Sequence, residues 1–253
     1  MQEFNPQEET KKIVEFIKNY YKENNLGGAV LGVSGGKDSA VVAGLLVKGL
    51  GKENVIGVTL PCYSNEEDKI DAKIVSDYFG FNLINFDITN IFDTFKNQVK
   101  TLGDFSDEEL KNSDINIKPR LRMSTLYYLS ALYSAINNKT YLVAGTSNKC
   151  ELFVGYFTKG GDNIHDISLI ADFTVDEVIK IGEYMNVPKQ VLYKKPNDGI
   201  SNKTDEEELG VTYKEITKYM NNDKLDEETE NKIRELHNNS KHKFNIPTYK
   251  KGY

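Results

Sequence analysis

Apolar positions in residues 8–25 fall at Ile13, Phe16, Ile17 and Tyr20, the spacing of an amphipathic helix. A short apolar run bounded by glycines, GGAVLGVS (27–34), suits a buried strand, and DSAVVAGLLVKGLG (38–51) is apolar nearly all round, as a helix buried against a sheet would be. NVIGVTL (54–60) predicts a second strand, residues 66–79 a helix and FNLINFD (81–87) a third strand. This alternation predicts an α/β protein: a doubly wound parallel sheet with right-handed crossovers and helices on both faces. Residues 88–115 predict helices and a polar acidic connector, 116–137 a long helix, and YLVAGTS (141–147) a fourth strand. Beyond 147 the strand signals stop. Thr174/Glu177, Thr204/Glu207 and Thr212/Glu215 each fit the Thr-x-x-Glu capping box, and a charged helix over 225–239 precedes a polar tail. No repeat and no Pro/Ser linker interrupts the chain, so a single domain over 1–253 is expected.

Composition narrows the class. The net charge of -6 argues against a nucleic-acid partner held by a broad basic surface. No apolar run approaches the ~18 residues of a membrane span. The start, MQEFNPQEETKK, is too polar and acidic for a signal peptide. Cys62 and Cys150 are far apart and lack metal-ligand spacing, so they read as reduced thiols of a cytoplasmic protein.

The chemistry concentrates in SGGKDS, Ser34 to Ser39, between the first strand and the first buried helix. Gly35 and Gly36 permit dihedrals that let successive N–H groups converge on an anion. The helix that follows adds the partial positive charge of its N-terminus. Ser34 and Ser39 add hydroxyls. Asp38 beside a bound polyphosphate makes sense only with a cation between them, and Mg²⁺ is the expected one. A Walker loop would need Gly at Leu31 and Ser or Thr at Asp38, and the G-x-G-x-x-G fingerprint is missing.

SGGxDS after a first strand resembles the pyrophosphate loop of the N-type ATP pyrophosphatases, whose fold is the adenine nucleotide alpha hydrolase-like one. NIKPRLRM (116–123), AGTSNKCE (144–151), GYFTKGGD (155–162), DEEELGVTYKEI (205–216) and His242-Lys243 follow in the order and spacing of ammonia-dependent NAD synthetase. The resemblance covers about residues 10–245. It implies that Gly32, Val33, Ser34, Gly35, Gly36, Lys37, Asp38 and Ser39 wrap the ATP phosphates, although the Lys37 side chain stands at the loop's variable position and receives no role. Thr146 and Asn197 would also touch ATP. Asp38 and Glu151 would bind Mg²⁺. Arg120, Tyr127, Tyr156, Lys159, Asp166, His242 and Lys243 would bind deamido-NAD, and Asp162 would stand near the ammonia.

Taken one at a time, several of these are ordinary residues. Arg120 and Arg122 read as solvated charges, Glu151 as a surface acid, and Tyr156 and Phe157 as core. His165 and His237 match no family position. Two positions depart from the family pattern. Val175 stands where the family usually has a lysine that reaches the ATP phosphates, and Asn197-Asp198 replaces a Ser/Thr-Ala pair. Lys194, Lys195 or Lys203 could supply the missing charge.

The implied reaction is adenylation of the nicotinate carboxylate by ATP, then displacement of AMP by ammonia. The chain leaves no room for an amidase domain, so free ammonia or a separate partner would supply nitrogen. A homodimer is expected, with Tyr127, Leu129 and Tyr133 offering apolar surface. The alternatives are another adenylating ligase with a different acceptor, favoured by Val175 and Asn197, and a nucleotide-binding relative without catalysis, opposed by Asp38 and Glu151.

Overall fold

The computed structural model describes residues 4–194 and 204–251. Asn197, Asp198, Lys195 and Lys203 therefore lie outside the described residues. Five parallel strands form one sheet: β1 (Gly28–Gly32), β2 (Val55–Thr59), β3 (Asn82–Asn85), β4 (Tyr141–Gly145) and β5 (Ile167–Ser168), in the spatial order β3-β2-β1-β4-β5. Leu31 of β1 lies beside Gly57 on one side and Ala144 on the other, which puts β1 in the middle.

Residue alternation along β1 divides the core. Ala29 and Leu31 join a cluster with Ile13 and Ile17 of α1 (Pro6–Glu23), Val41 and Leu45 of α2 (Lys37–Leu50), Val75 of α3 (Glu66–Phe79) and Val178 and Ile181 of α7 (Val175–Tyr184). Val30, between them, faces the opposite cluster with Ile56, Val58, Phe92 of α4 (Thr89–Lys100) and Leu129 of α5 (Asp107–Asn137). Helices thus cover both faces, as the apolar pattern of two-sided parallel strands requires. α2 is buried continuously from Ser39 to Leu46. A third cluster joins α6 (Lys149–Val154), α9 (Asp205–Leu209), α10 (Tyr213–Met220) and α11 (Glu227–Phe244) through Cys150, Val154, Leu209, Tyr213, Ile216 and Ile233. The remaining short helix, α8 (Lys189–Leu192), packs Leu192 against Gly182 of α7. Both cysteines are free and buried. Among the described residues no helix is long and apolar enough to cross a membrane.

Four sequence expectations need correction. A fifth strand does follow residue 147, but it has two residues and so carries no period to read. α5 begins at Asp107, not 116, because Ser106 and Glu109 form a capping box and the polar first turns continue through Pro119. α11 runs to Phe244, so His242 and Lys243 occupy its last turn instead of a tail. The apolar face offered for association also shifts. Leu129 is buried and Tyr133 packs against the sheet, while Tyr128, Leu132 and Ile136 are the exposed large apolar residues of α5. All three Thr-x-x-Glu boxes form as expected.

Candidate active site

β1 leads to β2 on one side, while β4 pairs on the other, so the carboxyl ends of β1 and β4 mark the point where the strand order reverses. Open α/β sheets bind ligands at such a point. The loop of residues 33–36 leaves β1 there, and residues 146–148 leave β4 beside it. Val33, Ser34, Gly36, Thr146 and Ser147 of these loops line a cavity of about 550 Å³.

Gly35 has φ +80, and a Cβ there would stand 2.5 Å from the Asp68 carbonyl oxygen, so the turn is open to glycine alone. Gly35 makes the turn without itself lining the cavity, whereas Gly32, Val33, Ser34, Gly36, Lys37, Asp38 and Ser39 line it. The loop serines act on the loop itself. Gly36 N–H donates to Ser34 Oγ (3.2 Å), and the buried Ser39 hydroxyl donates to the Gly36 carbonyl (3.1 Å) while accepting from Ser34 N–H (3.2 Å). They fix the shape that presents the N-terminus of α2 to the cavity.

Across the cavity floor, Asn148 joins the two expected metal ligands. It is fully buried at the N-cap of α6. Its backbone N–H donates to Glu151 Oε2 (3.0 Å) and its side-chain amide reaches Asp38 Oδ1 (3.4 Å). Glu151 is not the surface acid it resembles in isolation: burial, and then the charge of Asp38, push its carboxyl up to about 8. Asp205 is a third acid at this floor. It is buried, accepts from Tyr213 Oη (3.0 Å) and Tyr156 Oη (3.3 Å), and lines the same cavity. Burial, and then the charge of Glu151, push the Tyr213 phenol upward.

Hard carboxylate oxygens held in a buried, acid-rich floor beside a phosphate loop suit Mg²⁺. Asp38 and Glu151 are its candidate ligands. Among the described residues no group of three or more His, Cys, Asp or Glu forms a complete cage. Phosphate oxygens and water would fill the remaining positions.

The outer residues form a bonded rim. Arg120 Nε donates to the Lys159 carbonyl (3.2 Å), and Lys159 Nζ to the His242 carbonyl (2.7 Å). Tyr127 Oη donates to Asp166 Oδ1 (3.0 Å), whose other oxygen accepts from Val143 N–H (2.8 Å). Burial, and then this bond, push the Tyr127 phenol up to about 12. Lys243 Nζ donates to the carbonyls of Gly155 (2.6 Å) and Phe157 (2.7 Å), and burial pulls its ammonium down. Tyr156 donates to Glu208 (2.8 Å) as well as to Asp205. Asp162 Oδ2 accepts from Thr158 N–H (3.0 Å).

The fold therefore brings Thr146, Glu151, Tyr156, Asp162 and Lys243 to the cavity together with the loop. Arg120, Tyr127, Lys159, Asp166 and His242 lie outside its lining, on the rim. Val175 is buried in the third apolar cluster and does not reach the cavity. Lys194 does: it lines the cavity and binds Asp68 (2.9 Å) and Asp71 (2.6 Å) of α3. Sequence reading passed over Asn148 and Asp205. Asn148 carried a signal, since Asn148-x-x-Glu151 is the capping box with Asn in place of Thr.

The NAD synthase family model matches residues 9–247. An NH3-dependent NAD+ synthetase of Carboxydothermus hydrogenoformans is 37% identical over 244 residues, 96% of this chain and 97% of the relative. Among solved structures, NMN synthetase from Francisella tularensis superposes with a TM-score of 0.87 at 31% identity, covering 98% of this chain and 99% of that one. The NH3-dependent NAD synthetase of Campylobacter jejuni, solved with nitrate ion, gives 0.76 at 29% identity, covering 98% and 100%. With its loop, paired carboxylates and bonded rim in these places, the chain belongs to the NAD synthase family.

Proposed function

We propose that the protein is an ammonia-dependent NAD synthetase: it amidates deamido-NAD with ammonia at the expense of ATP, giving NAD, AMP and pyrophosphate. We further read it as a single-domain, cytoplasmic homodimer that uses Mg²⁺ with ATP. One observation carries the reading. The SGGKDS loop and the Asn148-linked pair Asp38 and Glu151 meet at the sheet's switch point, in one cavity with Asp162 and Lys243.

In the first step a carboxylate oxygen of the nicotinate bonds to the α-phosphorus and the bond to pyrophosphate breaks. The loop N–H groups and the α2 N-terminus stabilise the charge that develops on the departing phosphates. Asp38 and Glu151 would hold Mg²⁺, which when bound neutralises phosphate charge. In the second step ammonia attacks the activated carbonyl carbon and AMP leaves. Ammonia is mostly ammonium at neutral pH, so a base must take its proton. Asp162 lines the cavity and is held by Thr158 N–H, which supports that role. Arg120, Lys159, Asp166 and His242 on the rim suit the phosphates and riboses of the acceptor. Exposed Tyr128, Leu132 and Ile136 support association through α5. Leu132→Glu should convert the dimer to monomers in light scattering, and an unchanged mass would move the interface elsewhere.

A second reading changes only the acceptor. The higher TM-score with an NMN synthetase favours nicotinate mononucleotide in place of the dinucleotide. Steady-state assays of pyrophosphate release with each acceptor decide between them. The first reading expects the larger kcat/KM with deamido-NAD. Release with neither would remove both.

A further inference from the structure

Lys37 stands at the position that the SGGxDS motif leaves open, yet its surroundings are not those of a neutral position. It is the first residue of α2, where the helix dipole disfavours a cation. Its side chain is 5% exposed. A buried ammonium is retained only where opposite charge surrounds it. Here Nζ binds Asp38 Oδ2 at 2.8 Å and lies 5.7 Å from the centre of the Tyr213 ring. Asp38, Glu151, Asp205 and the lysine line one cavity floor. Lys37 therefore shares Asp38 with any cation that Asp38 and Glu151 hold.

We propose that Lys37 is a positioning residue that acts as the internal counter-charge of the Asp38, Glu151 and Asp205 floor, keeping its affinity for a divalent cation low until ATP brings phosphate charge. The inference rests on the reading of Asp38 and Glu151 as metal ligands. A pair of acids, one of them bonded to an ammonium, is a poor site for a bare divalent ion, because the fixed positive charge repels it. Phosphates beside the loop reverse that balance, since they add negative charge on the open side of the floor. Metal would then be taken up with the nucleotide, where the adenylation chemistry needs it, and not be bound idly without it.

The test is the binding of Mn²⁺ to nucleotide-free protein, followed by electron paramagnetic resonance of the free ion at mildly alkaline pH. Lys37→Met keeps the length of the side chain and removes its charge. It should bind Mn²⁺ about tenfold or more tightly than wild type, the scale of one removed charge a few ångströms from the ion. Lys37→Arg should stay near wild type, and Glu151→Gln added to Lys37→Met should abolish the gain. A side chain that merely fills space predicts equal Mn²⁺ affinity in wild type and Lys37→Met, which would overturn the proposal. So would a Lys37→Met protein that loses affinity for metal-free ATP with Mn²⁺ binding unchanged, because that marks a direct phosphate ligand. If Lys37→Met fails to fold, wild type compared with Lys37→Arg and Lys37→Gln decides: a gain confined to Lys37→Gln supports the counter-charge, and equal affinity in all three refutes it. Because the readout needs no turnover, it stands whichever acceptor the enzyme uses.

Discussion

The floor of the cavity and its rim are built on different principles. On the floor, Asn148, Asp205 and Ser39 are buried, and the carboxylates of Asp38 and Glu151 are linked through one asparagine. Asp38, Ser39, Asn148 and Glu151 lie at the starts of the helices that follow β1 and β4, so the sheet itself sets their spacing, and Asp205 reaches the floor from α9. On the rim, Arg120, Lys159 and Asp166 are exposed, and the two cations lean on backbone carbonyls. Backbone oxygens orient a cation without neutralising it. The floor is thus prepared before any ligand arrives, whereas the rim keeps charge available for one. Preorganised groups act on the chemical step and exposed ones on binding, so the two regions should respond differently to mutation.

The largest effects belong to the floor. Asp38→Asn and Glu151→Gln should each slow turnover by about 10²-fold or more, roughly 3 kcal/mol of transition-state stabilisation, with little change in melting temperature. A helix-capping role for Asp38 predicts near-normal turnover instead, because Asn caps as well as Asp. Gly35→Ala comes next. Its positive φ and the nearby Asp68 carbonyl put the strain at about 1–3 kcal/mol. This should appear as weaker ATP binding in calorimetry, and an unchanged affinity would show that the loop shape is not what holds the phosphates.

On the rim, Arg120→Ala should raise KM for the acceptor about tenfold and leave kcat and the KM for ATP near wild type, the pattern of lost uniform binding. An equal fall in kcat would place Arg120 with the floor and break the distinction.

Much of this division was legible beforehand, for physical reasons. The glycine loop has to be glycine and has to follow a strand, so composition and position together reveal it. The central strands and α2 are buried on all sides, and continuous apolar runs report that directly. The rim residues became visible only through their joined order, since an exposed arginine has no local signature. Asp205 and the Lys37 side chain were not legible at all. Each is a charged residue whose surroundings come from far along the chain: Tyr213 of α10 donates to Asp205 and lies 5.7 Å from the Lys37 ammonium. Likewise β5 depends on its neighbour β4, and α5 on a capping box hidden in an acidic connector.

A separate effect, on stability and not on turnover, is one of pH on the unliganded protein. Glu151 has an ordinary value of 4.5 and is raised to about 8 in the fold, by burial first and Asp38 second. The unfolded chain therefore gives up this proton before the folded one does. Stability from this group is fully present below 4.5 and lost as pH rises through about 8. The melting temperature should fall as pH rises across that window, and Glu151→Gln should flatten the fall. An equal slope in both proteins would assign it to other groups.

The chemistry expected of this floor is to activate a carboxylate by joining it to AMP. Deamido-NAD carrying heavy oxygen in its nicotinate carboxylate tests it most directly, by mass spectrometry of the AMP formed with ATP and ammonia. Each AMP should carry a single labelled oxygen, formed in step with NAD, and Asp38→Asn should slow its appearance. AMP without label, or label in pyrophosphate, would contradict it.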